Sequence, residues 1–303
     1  MFRSHAEDHI GAGLAGFGCP YWPTAPPYAP MDFVRAAILG IVQGLSEFLP
    51  ISSSGHLILV PALFKWPDQG LPFDVGLHVG TLVALLAYFW RDWLRMIRAG
   101  LLDLKAHGFA MRQYAEDSQL LWLLALGSVP AAVVGLLFNH WIEENVRQAW
   151  LVALTLGAVG VVLFLADRAG RRDRALSSLG VLDAVIIGCA QACALIPGVS
   201  RSGATISAAM FRDFTRSDAA RFAFLLGTPA FVGAALLKAK DLSHESSHQW
   251  NELAVGFAFS AVVGFMVIHW LLRFLRTRSL VPFAVYRWGV AILTLVIAGL
   301  RVA

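Results

Sequence analysis

Two short segments rich in Pro, Ser and Gly carry residues that can do chemistry, although the chain around them is apolar. The first segment is Pro50-Ile-Ser-Ser-Ser-Gly55, with Glu47 just before it and His56 just after it. The second is Pro197-Gly-Val-Ser-Arg-Ser-Gly203, which contains Arg201. A carboxylate or a guanidinium is costly in apolar surroundings, so these groups indicate a functional site.

The residue types of both segments suit the binding of a phosphate group. Turns rich in Ser and Gly that open onto helix N-termini present backbone N–H groups and the positive end of the helix dipole. Arg201 adds a planar fork that can bind two phosphate oxygens at once. Gly55 and Gly203 permit close approach of the backbone to a ligand. We therefore expect the two segments to meet around one phosphate group.

Three side chains are candidates for proton transfer and nucleophilic attack. His56 is the strongest candidate for proton transfer, because imidazole titrates near neutral pH. Glu47 can orient that imidazole, or it can hold a divalent cation, Mg²⁺ or Ca²⁺, shared with phosphate oxygens. Ser53 is then a candidate nucleophile activated by a base. The structural alternatives are a Glu47–Arg201 pair that only ties the segments together and, for His78 in a spanning helix, a packing role.

The composition identifies the class of protein that must position these residues. Apolar residues make up 57% of the 303 residues and charged residues only 15%, and the mean hydropathy is +0.64. Most soluble enzymes are thereby excluded, because soluble domains carry about 25% charged residues. The net charge of +4 comes from basic loops between apolar stretches, which is the positive-inside pattern rather than a nucleic-acid surface. We predict an all-α polytopic protein surrounded by membrane lipids that binds no nucleic acid.

The lengths of the apolar segments divide them into two groups. A crossing of the hydrocarbon core needs about 20 residues. Six segments are long enough, namely 75–93, 119–138, 149–166, 218–237, 252–272 and 281–301. The other four form two pairs, 32–49 with 51–64 and 180–196 with 203–212, and each pair is broken at one of the Pro-Ser-Gly segments.

The basic loops predict the path of the chain through the membrane. Loops at 91–112, 168–174 and 273–278 are rich in Arg and Lys and belong on the cytoplasmic side, whereas those around 143–144 and 241–245 belong outside. Residues 32–66 then begin and end outside, and residues 180–212 begin and end inside. We therefore predict six transmembrane helices and two re-entrant helical hairpins.

A duplicated motif indicates an inverted-topology repeat. Gly40-Ile-Val-Gln43 before the first break resembles Gly188-Cys-Ala-Gln191 before the second. Repeat 1 covers about 31–166 and repeat 2 about 180–303, within a single membrane domain, 31–303. Broken helices of such repeats meet near the midplane and form a buried polar site. Residues 1–30, rich in Gly and Pro, are predicted to be a disordered extension, with Met31 as a candidate start codon.

Both segments resemble the two signatures of the bacterial undecaprenyl-diphosphate phosphatases, also called bacitracin-resistance proteins. The matching stretches are Gln43-Gly-Leu-Ser-Glu-Phe-Leu-Pro-Ile-Ser-Ser-Ser-Gly-His56 and Pro197-Gly-Val-Ser-Arg-Ser-Gly-Ala-Thr205. The resemblance implies a multi-pass enzyme of the bacterial inner membrane that hydrolyses undecaprenyl diphosphate to undecaprenyl phosphate and inorganic phosphate. It thereby implies roles in peptidoglycan synthesis, cell wall biogenesis, cell shape and bacitracin resistance. It also implies interleaved inverted repeats, a requirement for Mg²⁺ or Ca²⁺ and a site facing the periplasm.

The resemblance assigns roles to individual residues. Glu47 matches the essential acid and metal ligand, Ser53 the proposed nucleophile, His56 the essential histidine and Arg201 the arginine that binds the diphosphate. The remaining substrate-binding positions are Gln43, Ser52, Ser54, Gly55, Ser200, Ser202, Gly203 and Thr205. Gln43 stands where many members have glutamate, so a mechanism that needs two carboxylates in the first segment is disfavoured. The sequence leaves open whether Ser53 or His56 is the nucleophile. It also leaves open whether the protein forms a homodimer.

A polyprenyl-phosphate transporter or flippase is the alternative function. Inverted repeats with broken helices are typical of transporters, and a fold does not determine a function. A carrier needs the Arg201 clamp but has no use for a positioned pair of Ser53 and His56. That pair therefore favours hydrolysis.

Overall fold

A computed structural model describes residues 31–67, 69–108, 110–145, 148–242 and 249–302. Within these ranges the secondary structure consists of ten α-helices and two short 3-10 helices. The extension predicted at 1–30 lies outside the described residues. The chain is therefore all-helical over the part that the structure describes, as the composition and periodicity predict.

The helices follow one another with short connections. They are α1 (Phe33–Phe48), α2 (Ser53–Phe64), α3 (Leu71–His107), α4 (Glu116–Asn145), α5 (Ala149–Ala169), α6 (Val181–Cys193), α7 (Arg201–Phe211), α8 (Arg216–Leu242), α9 (Gln249–Phe274) and α10 (Val281–Val302). Five of them, α3, α4, α5, α8 and α9, are long and apolar enough to cross a membrane, and they coincide with five of the six predicted spans. The sixth predicted span, 281–301, lies on α10 (Val281–Val302).

The four short helices match the two broken pairs predicted from the sequence. Their ends differ from the predicted ends by no more than three residues. Pro50 lies in the turn between α1 and α2, and Pro197 lies in the turn between α6 and α7. Proline has no N–H to donate and clashes with the preceding helical turn, so each proline favours a break at its position.

Helix α3 is longer than its predicted span. It continues to His107 instead of ending at residue 93, with a local departure from helical geometry at Phe89 (φ −100°, ψ 16°). Most of the basic loop predicted at 91–112 is therefore helical. The extension keeps apolar residues at helical spacing, since Leu94, Ile97 and Leu101 are all exposed along it. Counting loop charges could not reveal this, because an amphipathic helix at a membrane surface carries as many basic residues as a loop.

Each broken pair packs against a long helix from the other half of the chain. Helix α1 lies along α9, and α6 lies along α4. Gly40 on α1 faces the carbonyl of Gly256, and Gly188 on α6 faces the carbonyl of Gly127, so that a Cβ at either glycine would clash with the backbone. Gly40 and Gly188 occupy the same position in the duplicated Gly-x-x-Gln motif. The repeated glycine thus permits the same close helix contact in both halves.

Ion pairs join the helix ends near the basic loops. Asp183, in the first turn of α6, accepts hydrogen bonds from Arg174 and Arg212, each at 2.7 Å. Burial raises the pKa of the Asp183 carboxyl, but the bonds from the two guanidinium groups outweigh that effect and lower it to about 2. Asp167 at the end of α5 accepts two bonds from Arg216 in the same manner. Arg174, which the sequence analysis treats only as a topology signal, therefore also ties α6 to the end of α7.

Candidate active site

Two serines with left-handed backbone geometry precede the helices that follow the breaks. Ser52 has φ +76° and is the N-cap of α2, and Ser200 has φ +70° and is the N-cap of α7. This geometry is unfavourable for residues with a Cβ, costs about 1–3 kcal/mol and concentrates at functional sites. Ser200 Oγ accepts a bond from the N–H of Gly203 at 3.1 Å, whereas Ser52 makes no capping bond. The first turn of α2 therefore lacks a side-chain cap, and its N–H groups can serve a ligand.

The two breaks contact each other directly. The N–H of Gly198 donates to Ser54 Oγ at 3.4 Å, and Ser202 Oγ donates to the carbonyl of Leu49 at 3.1 Å. Gly198 has φ +87°, and a Cβ there would overlap Thr155 on α5. The structure thus brings together the two segments that the sequence predicts to share one site.

Glu47 is the centre of a buried polar group between the breaks. Its Oε2 accepts hydrogen bonds from Ser53 Oγ at 2.6 Å and from Gln43 Nε2 at 3.0 Å. Its Oε1 lies 3.4 Å from Arg201 Nη2, and His78 Nε2 lies 3.6 Å from its Oε2. The side chain of Glu47 is 5% exposed. One carboxylate therefore contacts a hydroxyl, an amide and two basic side chains at the same time.

Arg201 has donors that the protein itself does not use. The guanidinium lies 3.9 Å above the ring of Phe231, and a Cβ at Gly227 would overlap it. Its Nε and Nη1 are buried and have no hydrogen-bond partner among the described residues. An unsatisfied buried donor costs about 1–3 kcal/mol, so these two atoms are suited to bind an anionic ligand. The ion pair with Glu47, which was the structural alternative, exists but occupies only one of the three nitrogens.

His56 makes its hydrogen bonds to groups other than Glu47, so the first of the two alternatives for Glu47, orientation of this imidazole, is not seen among the described residues. Its Nδ1 lies 2.7 Å from the carbonyl oxygen of Ser52, and its Nε2 lies 2.8 Å from the hydroxyl of Tyr286. The reason is local, because a histidine in the first helical turn can reach back to the carbonyl four residues earlier. Ser53 is paired with Glu47 instead of His56. The two residues still lie on neighbouring positions of α2, at spacing i and i+3.

Thr205 and the remaining serines line the breaks. Thr205 Oγ1 donates to the carbonyl of Arg201 at 2.7 Å, which supports the first turn of α7. Ser52 Oγ and Ser54 Oγ lie 3.2 Å apart, and the corresponding pair Ser200 and Ser202 lies 3.3 Å apart. Gly55 and Gly203 occupy matching positions in the first turns of α2 and α7.

Arg287 is a site residue that the sequence analysis missed. Its side chain is fully buried on α10 and has no carboxylate partner among the described residues. It donates to carbonyl oxygens of both breaks, at 3.2 Å from Pro50 and 2.9 Å from Gly198, and to that of Leu156 on α5 at 3.0 Å. An arginine inside an apolar segment is a signal that was available in the sequence. His78, for which the sequence favoured a packing role, lies 3.6 Å from the Glu47 carboxylate. Tyr286 and Phe231 were missed because their contacts with His56 and Arg201 join distant helices.

The oxygen atoms around Glu47 fit a hard divalent cation. Gln43 Oε1 is buried and has no hydrogen-bond partner among the described residues, and it belongs to the residue that already contacts Glu47. No cluster of three or more His, Cys, Asp or Glu side chains occurs in the described part of the chain. A cation held here would therefore need ligand phosphate oxygens or water to complete its coordination, as Mg²⁺ commonly does.

Comparison with known proteins identifies a family that matches most of the chain. The family model described as "Bacitracin resistance protein BacA" matches residues 36–293, which include both breaks. A protein of Moorella thermoacetica named undecaprenyl-diphosphatase is 45% identical over 272 residues, or 89% of this chain and 100% of that protein. Proteins of the same name from Alcanivorax borkumensis and a Nocardioides species are 45% and 43% identical, over 87% and 90% of this chain and 98% and 100% of theirs.

Replacement of Arg287 is expected to destabilise the fold strongly. Arg287→Met leaves buried carbonyl groups of both breaks without donors, each at about 1–3 kcal/mol, so the free energy of unfolding should fall by at least about 3 kcal/mol. Thermal unfolding of the detergent-solubilised protein measures this change. Arg278→Met, at an exposed position, is the control and should unfold within about 0.5 kcal/mol of the wild type. An equal free energy of unfolding in Arg287→Met and Arg278→Met would contradict the role assigned to Arg287.

Proposed function

Because the chain belongs to the bacitracin resistance protein BacA family, we propose that its buried group of Glu47, Ser53 and Arg201 carries out the family's reaction. The chain is an enzyme that dephosphorylates undecaprenyl diphosphate. It is a multi-pass membrane protein with a lipid substrate. The residues and steps described next are our proposal for how it does so.

Ser53 is the nucleophile in this proposal, and the observation that carries it is the 2.6 Å hydrogen bond to Glu47. The carboxylate takes the proton of the hydroxyl as Ser53 Oγ attacks the terminal phosphorus of the diphosphate. The bond between that phosphorus and the bridging oxygen breaks, and undecaprenyl phosphate leaves. Water then hydrolyses the phosphoserine and releases inorganic phosphate. His56 is less suited to attack phosphorus, because both of its ring nitrogens already make hydrogen bonds.

Arg201 and the two helix N-termini bind the diphosphate in this proposal. The unpartnered Nε and Nη1 of Arg201 are donors of fixed geometry for phosphate oxygens. The first turns of α2 and α7 begin at the two breaks and add backbone N–H groups and the positive ends of their dipoles. When the phosphate enters, it replaces part of the contact between Arg201 and Glu47, which frees the carboxylate to act as a base. Electrostatic stabilisation of this kind is commonly the largest contribution to catalysis.

Glu47 and Gln43 would hold the divalent cation, Mg²⁺ or Ca²⁺. Their oxygen atoms are hard donors of the type these cations prefer, and the unsatisfied Gln43 Oε1 supports the assignment. When bound, the cation would supply neutralisation of the diphosphate charge. The chain's own residues then orient Ser53 and take up its proton.

The membrane arrangement follows from the pattern of helix contacts. We infer that α1 with α2 and α6 with α7 are re-entrant hairpins that enter from opposite sides, within one domain of two inverted repeats. The reciprocal packing of α1 on α9 and of α6 on α4 supports this, because the short helices of each half pack against a long helix of the other half. The family resemblance favours the bacterial inner membrane and a site open to the periplasm. It also favours recycling of the lipid carrier for peptidoglycan and resistance to bacitracin.

A transporter or flippase is not favoured by the comparisons, since the relatives are named for a diphosphatase. The buried Ser53–Glu47 pair also argues against a carrier, which needs to bind phosphate but not to attack it. The partner of Ser53 is Glu47 and not His56, so the pair that favours hydrolysis is Ser53 with Glu47.

Substitutions in the buried group should separate binding from turnover. Ser53→Ala and Glu47→Gln should lower kcat at least about 100-fold while the protein still binds substrate, and Arg201→Ala should also lose binding. The measurement is phosphate release from undecaprenyl or farnesyl diphosphate by protein in detergent, with Mg²⁺ or Ca²⁺ supplied, together with equilibrium binding. Ser177→Ala, an exposed serine, is the matched control. The hydrolase mechanism fails if the wild type releases no more phosphate than Ser53→Ala.

Exchange of Gln43 should test the cation site. Gln43→Glu places a second carboxylate beside Glu47, and activity should persist within about tenfold while half-maximal activity needs less Mg²⁺ or Ca²⁺. Titration of the cation after removal with EDTA measures both quantities. Gln113→Glu, at an exposed position, should leave the titration unchanged. An unchanged cation requirement in Gln43→Glu would remove Gln43 from the proposed cation site.

Variants with one introduced cysteine, made in a protein whose three native cysteines are replaced, should test whether both ends of each hairpin lie on the same side of the membrane. Asp32→Cys and Lys65→Cys, at the two ends of the first pair, should react with a membrane-impermeant thiol reagent from outside, like Gln148→Cys. Ser177→Cys and Ser217→Cys flank the second pair and should react only after permeabilisation. Labelling of intact cells against permeabilised cells decides the matter. Reaction of Asp32→Cys and Lys65→Cys from opposite sides would exclude a re-entrant first pair.

A further inference from the structure

Tyr286 on α10 contacts the imidazole of His56, which lies 230 residues earlier in the chain. Its hydroxyl is 2.8 Å from His56 Nε2, and the two rings are nearly parallel, with 8° between their planes and 5.6 Å between their centroids. His56 is 7% exposed, whereas Tyr286 is 47% exposed. Tyr286 therefore lies between a buried histidine and the outer surface of the described helices.

The hydrogen bonds of His56 determine where its proton resides. The carbonyl oxygen of Ser52 can only accept, so the 2.7 Å contact requires a hydrogen on Nδ1. In the neutral ring Nε2 then carries the lone pair, and the Tyr286 hydroxyl donates to it. Ser52 is itself held at φ +76°, and its carbonyl also accepts the backbone N–H of His56 at 3.3 Å. The strained break and Tyr286 thus select one tautomer together.

We propose that Tyr286 is the positioning residue of His56, and this inference rests on the proposed phosphatase function. Its hydroxyl holds the imidazole with Nε2 as the basic nitrogen and is the group through which a proton reaches that nitrogen. As water attacks the phosphorus of the phosphoserine, the phenol oxygen takes a proton from the water while the phenol proton passes to Nε2. The bond between phosphorus and Ser53 Oγ breaks, and Oγ takes back the proton that Glu47 accepted in the first step. The products are a neutral tyrosine, an imidazolium and the hydroxide equivalent that bonds to phosphorus.

A tyrosine suits this position because a phenol can donate and accept. It donates to Nε2 while His56 is neutral, and it accepts from Nε2–H once His56 is protonated. The hydrogen bond therefore persists in both protonation states, and the ring does not have to turn. Proton transfer through a positioned group of this kind contributes about 10²- to 10⁴-fold in general acid–base catalysis.

Tyr286→Phe tests the proposal, because it removes the hydroxyl and keeps the stacked ring. We expect kcat for phosphate release to fall about 10- to 100-fold with KM within twofold of the wild type. Tyr88→Phe is the matched control, since the Tyr88 hydroxyl also contacts a histidine, His269 Nδ1 at 3.3 Å, on other helices. A kcat of Tyr286→Phe equal to that of Tyr88→Phe would overturn the proposal.

The double variant separates a role through His56 from a general structural role. If Tyr286 acts through His56, Tyr286→Phe combined with His56→Ala should be no slower than His56→Ala alone. Additive losses of kcat would overturn the proposal. An inactive wild type would instead contradict the proposed phosphatase function, so the two failures are distinguishable.

Nuclear magnetic resonance of protein labelled with ¹⁵N-histidine provides a readout that does not depend on activity. The His56 signals are those that His56→Gln removes. We expect the wild type in the Nδ1–H form, and we expect the Nε2 signal to move toward the position of an unbonded lone-pair nitrogen in Tyr286→Phe. An Nε2 signal unchanged by that substitution would count against the hydrogen bond on which the inference depends.

Discussion

Backbone groups freed at a buried helix break must find partners inside the protein, because an unpaired buried N–H or C=O is costly. This constraint acts twice here, at the turns around Pro50 and Pro197. Arg287 satisfies it at both turns at once by donating to the carbonyls of Pro50 and Gly198. The guanidinium thereby joins the two breaks, in addition to the direct contacts of Gly198 with Ser54 and of Ser202 with Leu49.

The junction explains why two copies of one motif can build an asymmetric site. Ser53 follows the N-cap Ser52, and Arg201 follows the N-cap Ser200, so the two residues hold the same position in the repeat. One copy carries a hydroxyl at this position and the other carries a guanidinium. Because the breaks meet, Glu47 reaches both of them, with Ser53 Oγ at 2.6 Å and Arg201 Nη2 at 3.4 Å. A difference at this one repeated position therefore places a hydroxyl and a guanidinium beside the same carboxylate.

The site combines groups that are held firmly with groups left unsatisfied. Arg287 uses its donors on backbone carbonyls and is fully buried, so it suits a structural role. Arg201 keeps Nε and Nη1 without partners, and Gln43 keeps Oε1 without one, so these atoms suit a ligand and a cation. The use of their donors therefore distinguishes Arg287 from Arg201, which we propose to bind the substrate.

Much of the fold was predictable from local patterns. Apolar length and proline positions predict α1, α2, α6 and α7 within three residues of their ends, because a helix break has a local chemical cause. The extension of α3 to His107 was not predicted, since an amphipathic surface helix and a basic loop have similar charge. The duplicated motif also indicates two related halves, although it carries no information about which helix each hairpin contacts.

The sequence by itself determined the membrane class, the two breaks and the residue types that suit a phosphate, since these depend on composition and on spacing along the chain. Only the tertiary structure decided which of those residues act on one another. In the structure Ser53 is hydrogen-bonded to Glu47, and His56 is hydrogen-bonded to Tyr286. His78 lies beside the Glu47 carboxylate. Ser53 and Glu47 lie on consecutive helices, whereas His56 and Tyr286 are 230 residues apart. The geometry of these contacts follows from helix packing, which no local pattern encodes.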